Sequence, residues 1–312
     1  MAGDAHAHHP VLLGEALEMI NVVSGGHYLD ATFGRGGHAD EILQRIGDGR
    51  LLLMDKDPGA IKLAAERYEN DARVSVFHGS FANIGDFVRQ QGLLGTIDGI
   101  LLDLGVSSPQ LDDPSRGFSF RMDGPLDMRM NPDAGISAAA WIATVGEREL
   151  SQVLRDFGEE RFARRIARAI IKSREEEPIL RTAQLASIVA HANPAWEKDK
   201  DPATRTFQAI RIFINSELAD IKLCLNQILD VLAPKGRLVV ISFHSLEDRI
   251  VKRFMRAQAR GDNFPPDLPI RAENLNPRLK LIGKALRPSD DEIGRNPRAR
   301  SAVMRVAEKC YE

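Results

Sequence analysis

Cysteine is scarce in this chain: Cys224 and Cys310 are the only two, far apart and without a CxxC pair. That excludes a disulfide framework and a zinc knuckle, and it fits a reducing compartment. No apolar run approaches the roughly 20 residues that span a bilayer, and MAGDAHAHH at the start lacks the apolar core of a signal peptide. The expectation is a cytoplasmic protein with no membrane segment. An excess of positive charge is also missing. The formal net charge is -2, so binding of nucleic acid by bulk charge alone is excluded and any such binding must use local patches. No GKS or GKT triplet occurs, which excludes a triphosphate P-loop. Internal repeats and low-complexity tracts are absent too. His6, His8 and His9 cluster near the start without matching partners, so no metal is expected.

What is present is a long alternation. With 312 residues, 43% of them apolar, the chain can bury one large core, or a core and a smaller second domain. From Gly26 to Gly105 the short apolar runs HYLDATF, RLLLMDKD, VSVFHGSF and IDGILLDLG alternate with helical periods in HADEILQRI, DPGAIKLAAERY and FANIGDFVRQQ. That rhythm predicts βαβ units around a parallel, Rossmann-like sheet, an α/β fold. A fifth strand is predicted only at GRLVVISFHS, Gly236 to Ser245, with two edge strands near LKLIGKAL and SAVMRVAE. Between the fourth and fifth strands the pattern is loop-like from about Asp112 to Asn131, then helical near SAAAWIATV, ERELSQVL, EERFARRIARAII and TAQLASIVAHA. One longer helix is predicted from Pro202, a first-turn proline, through TFQAIRIFINSELADIKLCLNQILDVL. The expected organisation is a cofactor-binding sheet domain of residues 1–111 and 216–312, interrupted by an all-helical substrate-recognition domain of residues 112–215.

Gly34-x-Gly36-x-x-Ala39 follows the first strand and opens a helix, which satisfies the dinucleotide fingerprint with alanine in its last place. Three acids refine that reading. Asp30, four residues before the first glycine, would repel a pyrophosphate and suits a cationic or zwitterionic ligand. Asp55 ends the second strand, where such folds place an acid on ribose hydroxyls; its other reading is a helix N-terminal charge beside Asp57 and Pro58. Asp103 ends the fourth strand, on the sheet edge where ligands collect. Acids at three strand ends favour S-adenosylmethionine, with its positive amino and sulfonium groups, over an anionic nicotinamide dinucleotide.

After the fourth strand comes Ser107-Ser108-Pro109-Gln110, a partial match to the segment found in enzymes that methylate exocyclic amines. The second proline and the aromatic are missing. Phe118 and Phe120 are candidates to stack on a target base, and are equally readable as core residues of the inserted domain.

These residues, with the longer motifs HHPVLLGEAL, DATFGRGGHA, DGILLDLGVSSPQLDDPSRGFSF, GPLDMRM, GEERFARRIARAI, TRTFQAIRI, ISFHSLEDRIVKRF and NPRARSAVMRVAE, resemble the bacterial small-subunit ribosomal RNA methyltransferase H family over nearly the whole chain. The resemblance implies a class I S-adenosylmethionine-dependent fold with a helical insertion. It also implies methylation of N4 of a cytosine in the decoding region of 16S ribosomal RNA in the small subunit. By the same match, Gly36, Gly37 and His38 are cofactor contacts in the glycine bend, and Asp55, Phe81, Asp103 and Gln110 complete the site. A homodimer is left open.

Methyl transfer asks the protein to position two reactants and supply electrostatics. Because the N4 lone pair is delocalised into the ring, an acceptor near its hydrogens helps to localise it. Asp103, Ser107, Ser108 and the backbone carbonyls around Pro109 are all placed to serve, and the residues do not choose among them. His244, at the end of the fifth strand before the capping-box pattern Ser245-x-x-Asp248, is a further candidate. RNA contact is expected from three basic groups: Arg161, Arg164, Arg165, Arg168, Lys172 and Arg174 in one helix; Arg249, Lys252, Arg253 and Arg256 in another; and Arg295, Arg298, Arg300 and Arg305. The competing readings are a DNA amino-methyltransferase, a nicotinamide oxidoreductase, and a ribosome-binding assembly factor without turnover.

Overall fold

A computed structural model describes residues 10–195, 201–262 and 275–311; His6, His8 and His9 lie outside them. The chain divides into two compact units, one of residues up to Gly105 with those from Leu218 onward, the other Val106–Glu217. The sequence pattern by itself sets these divisions at 112 and 215.

The first unit is built on a seven-stranded sheet: β1 (His27–Asp30), β2 (Arg50–Asp55), β3 (Val74–His78), β4 (Ile97–Asp103), β5 (Leu232–Ser242), β6 (Leu279–Leu281) and β7 (Val303–Lys309), in the order β3-β2-β1-β4-β5-β7-β6. The first five strands are parallel, and β7 runs antiparallel to both β5 and β6. Helices α1 (Leu13–Ile20), α2 (Gly37–Leu43), α3 (Pro58–Arg67) and α4 (Ile84–Gln90) accompany the first four strands. Strict alternation along each strand divides the core in two. Leu29, Leu52, Met54, Ile100, Leu102, Leu238 and Val240 enter one buried cluster, whereas Tyr28, Leu51, Leu53, Leu101, Val239 and Ile241 enter another. Successive side chains point to opposite faces, so a strand apolar at every position needs helices on both sides.

The second unit is helical: α5 (Ser108–Asp112), α6 (Ala138–Thr144), α7 (Glu147–Gly158), α8 (Ala163–Glu176), α9 (Thr182–Ala192) and α10 (Thr204–Ile214). Its own core includes Trp141, Leu150, Ile166, Leu185, Phe207 and Ile210. The chain returns through α11 (Glu217–Val231), α12 (Ser245–Arg260) and α13 (Asp290–Arg295).

Several local expectations are corrected. The single long helix from Pro202 is two helices, with Pro202 in a turn ahead of α10. Between them Asn215 turns its side chain to tertiary work, donating to Met128 O at 2.7 Å and accepting from Met130 N at 2.7 Å, while Ser216 takes φ +55°. A side-chain amide bonded to backbone elsewhere and a left-handed residue together end a helix. Strand β5 stops at Ser242, so His244 does not end the strand; it is the N-cap of α12. Glu247 takes the third helical position there, accepting from Phe243 N at 2.8 Å and His244 N at 3.3 Å. The expected Ser245 and Asp248 box does not form, because Asp248 binds Arg305 at 2.6 and 3.1 Å.

Arg174 is likewise not a free surface cation. From α8 it donates to the carbonyls of Ile142 and Val145 at the end of α6, where a cation complements orphan carbonyls. Arg174→Ala is expected to lower the stability of the second unit by roughly 1 to 2 kcal/mol without altering the salt dependence of RNA binding. A chemical denaturation curve superimposable on wild type would remove this capping role.

Candidate active site

The parallel strands carry their carboxyl ends to one edge, and the order reverses between β1 and β4, the place where open α/β sheets bind ligands. Asp30, Asp55 and Asp103 are the last residues of β1, β2 and β4. Asp30 is 1% exposed and accepts from Thr32 N at 3.1 Å. Burial, opposed by that bond and reinforced by the charge of Asp55, pushes its carboxyl up to about 7. Asp55 is pushed up to about 6, first by burial and against the bonds donated by Asp57 N and Gly34 N. The carboxyl of Asp103 is raised well above the usual range by burial, then by the charges of Asp30 and Glu247. The Thr32 hydroxyl accepts from Asp103 N at 2.6 Å, fixing the end of β4. Asp103 Oδ1 is buried with no hydrogen-bond partner among the described residues, and Oδ2 lies 4.0 Å from His38 Nδ1.

The glycine bend is fastened to this edge. Gly34 N donates to Asp55 Oδ2 at 2.7 Å, and Gly34 and Gly36 hold φ of +54° and +82°. At Gly36 a Cβ would meet the ring of Phe33 at 2.6 Å, so glycine is required there on both backbone and space grounds. Gly37 opens α2 and packs on Pro10, and His38 is 6% exposed.

Two loops of the same edge share an anchor that sequence reasoning missed. Asp220 in α11 accepts from Lys56 Nζ at 2.8 Å and from Ser80 Oγ at 2.6 Å. Lys56 follows Asp55, and Ser80 precedes Phe81, which is half-buried against the core. A local pattern offers no signal for Asp220. Glu247 was also missed, although HSLE can be read as a capping box if His244 is taken as the N-cap. Its Oε1 is 3.2 Å from His244 Nε2.

Ser107, Ser108, Pro109 and Gln110 belong to the second unit. Ser107 is the N-cap of α5, Pro109 lies in its first turn, and Gln110, 5% exposed, accepts from Ser107 N at 2.9 Å. Phe118 is 6% exposed within the core of this unit. Phe120 meets Phe207 edge-on at 4.8 Å, so both aromatics serve as packing residues there. Of the basic groups, Arg164, Arg165, Arg168 and Lys172 are exposed on α8, whereas Arg161 precedes that helix and lies over the Phe162 ring at 5.4 Å.

Parallel strands with an antiparallel β7 inserted between β5 and β6, and acids at the ends of β1, β2 and β4, define a class I S-adenosylmethionine-dependent methyltransferase fold. The chain belongs to the MraW methylase family, whose model matches residues 5–310. A relative from Chromohalobacter salexigens, named ribosomal RNA small subunit methyltransferase H, is 58% identical over 306 residues, covering 97% of this chain and 92% of its own. Among solved structures, an rRNA methylase from Streptococcus thermophilus gives a TM-score of 0.45 at 10% identity, over 98% of this chain and 100% of its own. Aeropyrum pernix fibrillarin, with natively bound S-adenosyl-L-methionine, gives 0.40 at 11% identity, over 95% and 73%.

Proposed function

We propose that this chain transfers the methyl group of S-adenosylmethionine to N4 of a cytosine in the decoding region of 16S ribosomal RNA, within the small ribosomal subunit in the cytoplasm. The observation that carries the cofactor reading is the set of three strand-end carboxyls, two of them pushed up to about 6 and about 7, with Asp103 Oδ1 buried and unpartnered. Carboxyls that resist ionisation together suit a ligand that brings positive charge and hydrogen-bond donors. When bound, S-adenosylmethionine supplies an electrophilic methyl on a sulfonium. Gly36, Gly37 and His38 would line one side of it, Asp55 would accept from ribose hydroxyls, and Phe81 and Gln110 would complete its contacts. Asp103, its basicity raised by burial, suits the acceptance of a proton from the amine; Ser107, Ser108, the Pro109 carbonyl and His244 are the other acceptors for that proton. The substrate reading rests on the family, on the relative's printed name and on the motifs shared across the chain.

Cofactor binding should release protons. A cationic ligand near Asp30, and hydroxyls donating to Asp55, favour the ionised forms, so each carboxyl titrates lower in the complex than in the free protein. Affinity therefore rises with pH through the interval of about 6 to about 7 in which these groups titrate in the free chain. In the free chain their folded-state values lie above the ordinary carboxylate range, so the linked stability is full below that range and is lost as pH rises through about 6 and about 7. Thermal stabilisation by the cofactor should thus be larger at neutral than at acid pH. Calorimetry in buffers of different ionisation enthalpy measures the protons released; net uptake would contradict the assignment.

The function itself is tested by incubating the protein with labelled cofactor and either small subunits or naked ribosomal RNA, then digesting the RNA for mass spectrometry. The methyl should sit on the exocyclic nitrogen. Carbon-5 methylation needs a cysteine nucleophile, which SSPQ lacks, and Cys224 is fully buried in the core. Recovery of 5-methylcytidine would overturn both mechanism and substrate.

A further inference from the structure

On the first unit, α12, β7 and the segment from the end of β6 to Ala285 line a groove of about 290 Å³. Lys252 and Arg256 of α12, Lys284 after β6 and Arg305 of β7 bring four cations to its walls, and no acidic side chain lines it among the described residues. Its floor includes Met255 and Val306, 1% and 5% exposed. Arg305 is held by Asp248 through two bonds. Lys252, Arg256 and Lys284 have no ion-pair partner among the described residues.

Lys252 and Arg256 stand one turn apart on the same helical face, an arrangement of like charges that weakens an isolated helix. Cations gathered in a concave, apolar-floored surface focus positive potential and recruit an anionic partner. The groove is distinct from the cofactor edge. Arg305 and Val306 pair with Val240 and Val239, short of the strand end at Ser242, and the acids of β1, β2 and β4 are not among its walls. It also unites the second and third basic groups of the sequence, bringing Lys252 and Arg256 to Arg305, about 50 positions further along the chain.

We infer that this groove binds the phosphodiester backbone of the RNA substrate, the cations contacting phosphates while the apolar floor takes a sugar or base edge. The inference rests on the proposed ribosomal RNA substrate. Phosphate contacts position an RNA without reading its sequence, which leaves the choice of cytosine to the methyl-transfer site.

The test compares the full chain with a Lys252→Gln, Arg256→Gln, Lys284→Gln variant and with a charge-matched control, Arg45→Gln, Lys62→Gln, Arg89→Gln, whose cations are paired on the surface. Binding of a fluorescent small-subunit ribosomal RNA fragment is followed across salt concentration, with methylation measured in parallel. At roughly 0.7 per lost single-strand phosphate contact, the groove variant should flatten the slope of log affinity against log salt by about 2. Its affinity should fall by roughly tenfold or more at low salt, with the cofactor Kd unchanged. A slope equal to that of the control variant overturns the groove while wild-type methylation leaves the substrate reading intact. A wild-type chain that never methylates ribosomal RNA overturns that reading, and the groove with it. Equal loss of binding to vesicles of anionic lipid and to RNA would reassign the groove to a membrane surface.

Discussion

Asp103→Asn is expected to lower single-turnover methylation of ribosomal RNA by roughly 10²-fold, the scale of a lost proton acceptor. The swap keeps shape and removes charge at the end of β4, where the Thr32 hydroxyl holds the backbone and Oδ1 has no partner among the described residues. An amide there can neither favour a sulfonium electrostatically nor accept the proton. The fold should survive and become less sensitive to pH. Because the folded-state carboxyl lies above the ordinary range, its ionisation costs stability as pH rises, and the amide removes that cost. His244→Ala is the paired control. An equal loss of rate would move the proton-accepting role from Asp103 to His244.

Asp55→Ala should weaken S-adenosylmethionine binding by about tenfold to a hundredfold, the worth of a charge-assisted contact of roughly 1.5 to 3 kcal/mol. Two losses combine. The ribose loses its acceptor, and Gly34 N and Asp57 N lose theirs, so the bend loses its side-chain tie to β2. Asp55→Asn, which retains one acceptor oxygen, should fall between the alanine variant and wild type. Turnover at saturating cofactor should largely recover, because the reacting centre is untouched. Calorimetry on the alanine variant decides the matter: a Kd equal to that of wild type would remove Asp55 from the site.

Much of this architecture was legible because it is encoded locally. Apolar runs of strand length between helical periods announce βαβ units, and the fully apolar strands announce a sheet covered on both faces. The acids were visible as strand-end residues. Their mutual influence, with Asp55 raising Asp30 and Asp30 raising Asp103, each less than burial does, was beyond the reach of any one-dimensional pattern. The break within the long predicted helix carries no local signal. LNQILDVL and IRIFINSEL have the same helical period, and only the bonds of Asn215 to the segment around Met128 reveal that the helix stops.

The sequence by itself determined the α/β alternation, the glycine bend, the three carboxylates at strand ends and the helical insertion, since each follows from residue type and short-range period. Tertiary structure alone decided that Asp220 anchors Ser80 from 140 positions away, and that Arg174 caps another helix instead of facing solvent. It also decided that Phe118 is buried and that His244 begins a helix instead of ending a strand. Such roles depend on which buried donors and acceptors the fold brings within about 3 Å of one another, and sequence separation carries no trace of that distance.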